Sequence, residues 1–165
     1  MSRAFVKENE DQAPELPERP QSPHPNFVTP HGLTLLKQQL ADLEAAKKSH
    51  AAEGELLDKE ALQVIERDLR YVQERITRAI PVDATAQPQD RVEFGAIVDT
   101  VDENDVKRRF EIVGEDEADP NHEKLSWVSP LALALKDAKV GDSVVWKRPA
   151  GDLELEIVRI EYPAH

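Results

Sequence analysis

The sequence predicts an α+β protein in which an N-terminal antiparallel helical hairpin is followed by a small antiparallel sheet domain with one short helix. Two observations predict it. Between residues 29 and 81, large aliphatic residues recur at alternating spacings of three and four, which is the period of helices packed along a shared seam. Between residues 92 and 162, apolar residues alternate in short runs that are separated by turn signals, which indicates strands.

The hairpin has recognisable ends and a recognisable turn. Thr29 is a suitable N-cap for the first helix, and Pro30 suits its first position, where no amide donor is needed. Pro81 ends the second helix. Gly54 suits a helix C-terminus, so the sequence places the tip of the hairpin near residues 53–59. Each arm is then ~35 Å long at 1.5 Å per residue.

The two seams can be set in register. Antiparallel pairing about that tip places Leu36 opposite Ile76, Leu40 opposite Val72, and Leu43 opposite Leu69. Closer to the tip the seam positions hold Lys47 and His50, whose burial stabilises less than that of leucine. The pattern therefore predicts a firm base and a more mobile tip for a coiled-coil hairpin spanning residues 29–81.

The remaining segments follow from composition. Residues 1–28 carry five prolines and few large apolar side chains, so we expect a disordered or extended tail. Residues 82–91 are predicted to be a linker. The domain at 92–162 is expected to contain a helix from Pro130 to Lys136 and strands at 92–101, 108–114, 124–129, 142–148 and 153–161. Its expected core comprises Phe94, Ile97, Phe110, Ile112, Val113, Trp127, Leu131, Leu135, Val145, Ile157 and Ile160.

Charge and composition exclude several function classes. The net charge is −12, and residues 83–165 alone carry 19 acidic and 10 basic side chains, so independent nucleic-acid binding is not expected. With no cysteine there is no thiolate zinc site, and the histidine spacing matches no metal motif, so no cofactor of its own is expected. No apolar run could span a membrane and no secretion signal is recognised, so we expect a cytoplasmic protein.

Several short motifs in order resemble one family. Val28 to Leu33 reads Val-Thr-Pro-His-Gly-Leu, and the sheet domain then contains Phe94-Gly95, Ile112-Val113-Gly114, Ser129-Pro130-Leu131 and Val140-Gly141-Asp142. Together these resemble the Gre (GreA/GreB) transcription elongation factors of bacterial RNA polymerase. The resemblance implies an FKBP-like C-terminal domain that docks on core RNA polymerase, and a monomer. It assigns docking to Ser129, Pro130 and Leu131, and implies that the hairpin enters the polymerase's secondary channel.

The resemblance also implies a role for the hairpin tip. In the family, two tip carboxylates assist the polymerase's own magnesium chemistry in cutting backtracked RNA, and Glu55 and Asp58 match those positions. Any magnesium would thus be shared with the polymerase active site. However, Lys59 replaces the family's asparagine, and each arm is about eight residues shorter, a loss of ~12 Å of reach.

Three hypotheses therefore stay open. The chain could stimulate RNA cleavage through Glu55 and Asp58, or these residues could be an ordinary solvated helix turn. In the second case the chain would occupy the channel without promoting cleavage, similar to the short-armed relatives known as regulators of nucleoside diphosphate kinase. The third hypothesis, a prolyl isomerase, follows only from the FKBP-like fold and requires an aromatic-lined pocket. In the first two the chain is not itself an enzyme.

Overall fold

The computed structural model describes residues 16–53 and 59–164, and it confirms the α+β class with the helical hairpin first and the sheet domain second. Two helices form the hairpin, a short third helix belongs to the sheet domain, and seven strands form two sheets. The elements are β1 Asn26–Val28, α1 Pro30–Glu53, α2 Lys59–Arg78, β2 Ala79–Pro81, β3 Ile97–Asp102, β4 Lys107–Val113, β5 Lys124–Ser126, α3 Pro130–Leu135, β6 Ser143–Trp146 and β7 Leu153–Glu161. No helix in these ranges is long and apolar enough to cross a lipid bilayer.

The hairpin packs along the seam that the spacing predicts. Leu36, Leu69 and Val72 are buried, and the other predicted seam residues of the base, Leu40, Leu43 and Ile76, pack beside them half-buried. The cap is also confirmed, because the amide of Gly32 donates to Thr29 Oγ1 at 2.9 Å. Full burial is thus concentrated in the base half of the arm.

The N-terminal part of the chain is more ordered than its composition predicts. Most of the described residues 16–28 are extended, which is one of the two alternatives expected for the tail, but they pack against the rest of the chain. The last three form β1, which pairs in parallel with β2 at the end of the hairpin. Val28 is buried with the hairpin core, so this segment is part of the base of the arm. Residues 1–15 lie outside the described part of the chain.

The sheet of the C-terminal domain has the order β5-β4-β3-β7-β6. Four of its strands pair antiparallel, as predicted, but β5 runs parallel to β4. The purely antiparallel expectation was therefore wrong at this edge. The chain crosses from β4 to β5 through a turn at Pro120–His122, which returns it to the same end of the sheet. Between β3 and β7 the register shifts at Asp99 and Thr100, so Val158 and Arg159 are both exposed.

One face of this sheet packs against α3 to form the main core. Of the predicted core residues, Phe110, Ile112, Val113, Leu131, Leu135 and Ile157 are buried. Val145 is 49% exposed, because β6 turns its neighbours Val144 and Trp146 inward. Of the adjacent residues Ile97 and Val98 in β3, it is likewise Val98 that is buried. These errors have one cause: where two aliphatic residues are adjacent, alternation alone does not say which of them faces the core.

The segment between the hairpin and the sheet domain is not a loose tether. Ala84 is buried in a short turn at Ala84–Ala86, which Asp83 caps through the amide of Thr85. The side chain of Gln87 donates to the carbonyl oxygen of Phe94 at 3.0 Å. The predicted linker therefore packs against the sheet domain. The predicted strand from residue 92 begins only at Ile97, because Gly95 takes a positive φ of 88°.

Candidate functional site

The loop at Ser129 and Pro130 is a well-capped helix start. The Ser129 hydroxyl accepts from the amide of Ala132 at 3.3 Å, and Pro130 occupies the first position of α3. Pro130 is exposed, and Ser129 is half-buried. The loop is thus held in one conformation by its own cap, with a proline on its outer side for a partner to contact.

The side chain of Leu131 faces the core of the sheet domain. It is only 3% exposed and belongs to the main core, and the docking role that the resemblance assigns to it stays a prediction. Leu133, two residues further along α3, is 57% exposed. Sequence reasoning missed Leu133, although its place in the run Leu131, Leu133, Leu135 showed that a helix could not bury all three.

An apolar pocket of about 350 Å³ adjoins the exposed Leu133. Three aromatic rings line it, those of Phe27, Phe94 and Trp127, with Ile112 below and Lys136 at the rim. The indole N–H of Trp127 is buried and has no hydrogen-bond partner among the described residues. The apolar and aromatic walls of the pocket can therefore receive an apolar group.

The carboxyl group of Glu93 also lines this pocket. Burial raises its pKa, and the neighbouring carboxyl of Asp137 acts in the same direction. This side of the domain therefore favours an apolar contact. Leu133 is exposed, the pocket walls are apolar, and the carboxyl group of Glu93 is costly to ionise. Two further aromatic residues of the domain, Phe110 and Trp146, do not line this pocket but pack on each other, with ring centroids 5.8 Å apart.

A second polar cluster joins the hairpin to the sheet domain. Arg75 of α2 is 1% exposed, and its Nε donates to Asp116 Oδ2 at 2.7 Å. Its Nη2 donates to Asn26 Oδ1 at 2.7 Å and lies 3.7 Å from Glu115 Oε2. The hydroxyl of Tyr71 donates to the other oxygen of Asp116 at 2.7 Å. A buried cation is thus neutralised by two carboxylates that follow β4 in the other domain.

Glu117 completes this junction on the α1 side. The hydroxyl of Thr29 donates to Glu117 Oε1, so one side chain caps α1 and also binds the sheet domain. A methyl group at Gly32 would lie 2.6 Å from the same carboxylate oxygen. At Gly114 the approach is closer still, since a Cβ there would lie 2.4 Å from the carbonyl oxygen of Phe27. The two glycines therefore allow the hairpin base to meet the domain directly.

Sequence reasoning did not find this junction. Spacing gave no signal, because the seam position that follows Val72 is Ile76, and a charged residue such as Arg75 beside a seam position is ordinary. The acidic run of residues 115–117 was read only as part of the acidic surface. Pairing across 41 residues of sequence depends on how the two domains meet, which periodicity does not encode.

The predicted tip residues Glu55 and Asp58 lie outside the described residues, so the structure does not place them. Within residues 16–53 and 59–164 no group of three or more His, Cys, Asp or Glu side chains is arranged to hold a metal ion.

The junction makes a prediction about tyrosine ionisation. Burial, and then the hydrogen bond to Asp116, raise the pKa of Tyr71 to about 12, and burial raises the pKa of Tyr162 as well. These are the two tyrosines of the chain. The folded state holds both phenol protons more tightly than the unfolded state, so their stabilising effect is present below pH ~10 and is lost as pH rises through the folded pKa values.

An alkaline titration followed by tyrosinate absorbance checks this. Folded protein should ionise less than half of its tyrosine at pH ~10, whereas protein in urea should reach half there. Tyr71→Phe should remove the portion of the folded titration near pH 12, and Tyr162→Phe should leave it. Half-ionisation of the folded protein at the same pH as in urea would contradict the burial of these rings.

Comparisons with known proteins show which family the chain belongs to. Residues 87–162 match the family model "Transcription elongation factor, GreA/GreB, C-term". A transcription elongation factor GreB of Neisseria meningitidis serogroup B is 33% identical over 153 residues, covering 83% of this chain and 94% of that protein. A GreA of Pseudomonas aeruginosa is 35% identical over 127 residues, covering 76% and 77%. The chain belongs to the GreA/GreB family of transcription elongation factors.

Among solved structures, a GreA/GreB elongation factor from Nitrosomonas europaea is 22% identical, and the match covers 83% of this chain and 99% of that chain with a TM-score of 0.42. The family membership rests on the sequence matches, and the arrangement of the domains rests on the contacts described above.

Proposed function

We propose that this chain is a regulator of transcription elongation that docks on RNA polymerase through its C-terminal domain and inserts its helical hairpin into the secondary channel. The observation that carries the proposal is the family membership over most of the chain. The regulator modulates elongating or backtracked complexes and supplies no complete active site of its own.

The docking surface that supports this proposal is the side of the sheet domain with Pro130 and Leu133. Interface energy is concentrated in a few anchors near well-packed apolar pockets. Leu133 and the adjoining pocket have that character, and the surrounding domain is strongly acidic, which favours a basic partner surface. Ser129 and the buried Leu131 hold the loop in place.

A substitution at Leu133 tests the docking surface. Leu133→Asp should lower the affinity for core RNA polymerase by about tenfold or more, because it places a charge at an apolar anchor. The unfolding midpoint should hardly change, since the side chain is 57% exposed. Val158→Asp is the matched control, because Val158 is 47% exposed on the sheet domain but lies outside the pocket. Equal affinities of both variants and the wild type would place docking elsewhere.

The reach of the hairpin determines what it does in the channel. Helix α1 has 24 residues and α2 has 20, so the longer arm extends ~36 Å at 1.5 Å per residue. Magnesium binds carboxylates at about 2 Å, so a tip that is ~12 Å short of the active site cannot share its metal. We therefore expect the chain to occupy the channel without speeding cleavage.

Transcript cleavage in a stalled, backtracked elongation complex is the direct test. Addition of the wild-type protein should leave cleavage at the polymerase's intrinsic rate and should slow cleavage by a second, active Gre factor through competition. If the wild type instead speeds cleavage and Glu55→Ala/Asp58→Ala does not, the two tip carboxylates act in trans and this expectation is wrong. Glu154→Ala/Glu156→Ala is the matched control, since it removes two exposed carboxylates from β7.

A further inference from the structure

Residues 16–28, here called the strap, run along α2 in the same direction as the helix. Its contacts follow the same order along the helix. Leu16 lines one pocket with Gln63. Further along, the side chain of Gln21 donates to the carbonyl oxygen of Tyr71, and that of Asn26 donates to the carbonyl oxygen of Arg75. The strap, which ends with β1, therefore covers α2 over most of its length before the chain enters α1. Apart from the direct junction between the domains, it is a second element that contacts both.

On the hairpin side the strap binds through charged groups. The Arg19 guanidinium lies 3.8 Å from the centroid of the Tyr71 ring, and its Nη1 lies 3.2 Å from Asp68 Oδ1. Glu18 accepts from Nε of Arg70 at 3.0 Å and forms a second bond with Nη2. Individually such exposed or half-exposed pairs stabilise little, because solvent screens them, so the strap depends on several contacts together.

On the domain side the strap reaches two different places. Ser22 Oγ donates to Glu115 Oε1 at 3.0 Å, next to the buried Arg75 cluster. The His24 ring packs edge-on against Trp127 with centroids 5.8 Å apart, and the Phe27 ring lies 5.1 Å from the same indole. The strap thus contacts α2 and the sheet domain within a few consecutive residues.

The sequence of the strap fits this role. Leu16, Arg19 and Ser22 face the protein and are half-buried, whereas Pro17, Pro20 and Pro23 are exposed. A period of three is that of the polyproline II conformation, which brings every third residue to one side. Proline also restricts the free chain, so docking of the strap loses less conformational entropy than docking of an ordinary segment.

From these contacts we infer that the strap fixes the angle between the hairpin and the sheet domain. Only the segment at 82–91 connects the two domains covalently after the hairpin. Relative motion is the default for domains unless their interface is large and hydrophobic, and the junction described above is made of charged and polar groups. A segment that binds both domains removes that freedom by adding a second connection. This role needs no polymerase, so it stands or fails independently of the proposed function.

Pulsed electron paramagnetic resonance on the full chain tests the inference. Because the sequence has no cysteine, nitroxides can be placed at Gln39→Cys on α1 and Lys147→Cys in the sheet domain, both exposed positions. The test variant is Glu18→Gln/Arg19→Gln/Ser22→Ala/His24→Ala. The width of the distance distribution should rise roughly twofold in this variant, as expected for domains free to move. Glu74→Gln/Arg78→Gln is the control, because it removes an exposed ion pair on α2 that the strap does not touch.

A separate sample that carries one nitroxide, at Pro20→Cys, reports whether the strap is bound. The inference requires slow label motion in the wild type and fast motion in the test variant. Fast motion in the wild type would overturn it, and so would slow motion in the test variant, since these contacts would then not be what holds the strap. A released strap with an unchanged distance distribution would also overturn it, because the angle would be set by the junction alone.

Discussion

Replacing Arg75 by alanine should destabilise the protein by about 1–3 kcal/mol, because it leaves the buried Asn26 without its partner and removes the charge-assisted hydrogen bond to Asp116. The side chain is 1% exposed and binds Asp116 and Asn26 directly. Without the guanidinium, these groups lose their partner at the place where the hairpin, the strap and the sheet domain meet. Urea unfolding followed by circular dichroism measures the loss as a lower midpoint at an unchanged slope.

Arg78→Ala is the matched control for this experiment. Arg78 lies one turn further along the same helix and pairs with Glu74 at 2.6 Å, but both side chains are nearly half exposed. An exposed pair of this kind contributes about 0–1 kcal/mol, so the midpoint should move little. If Arg75→Ala cost no more than Arg78→Ala, the buried cluster would not be a stabilising part of the fold in solution.

The second large effect is expected at Leu131. Leu131→Ala should destabilise the sheet domain by about 2–5 kcal/mol, because it opens a cavity between α3 and the sheet. The residue is 3% exposed and lies in the main core. Thermal or urea unfolding measures this loss directly.

The same variant separates support of the docking loop from contact with a partner. Below its unfolding transition, Leu131→Ala should bind core RNA polymerase within about twofold of the wild type, whereas Leu133→Asp should bind about tenfold more weakly with unchanged stability. The two substitutions thus have opposite expected results on the same helix. A large loss of affinity for folded Leu131→Ala would mean that Leu131 contacts the polymerase, as the resemblance implies.

The hairpin could be predicted from the sequence because its periodicity is long and both of its ends carry specific residues. Thr29 and Pro30 mark the start of α1, and the seam pairs Leu36 with Ile76 without reference to any other part of the chain. The sheet was predicted less accurately. Strand positions were found, but adjacent aliphatic residues such as Val144 and Val145 left the inward face undetermined, and parallel pairing of β5 has no local signal.

The candidate site was predictable only where it is local. The cap of Ser129 and Pro130 follows from neighbouring residues, and the structure places both as expected. The exposure of Leu133 depends on which side of α3 meets the sheet. The Arg75 cluster joins three segments that are distant in sequence, one of which belongs to the extended tail. Charge pairs of this kind are determined by tertiary packing.

The parallel pairing of β1 with β2 has a consequence for synthesis of the chain. Asn26–Val28 is made early, but its partner Ala79–Pro81 follows the entire hairpin. At ribosomal rates of about 5–20 residues per second, the partner emerges about 3–10 seconds later. During that interval Phe27 and Val28 have neither the second strand nor Gly114 to pack against. Strand β1 is therefore placed late in folding, and nascent chains interrupted within the hairpin expose it to chaperones and proteases.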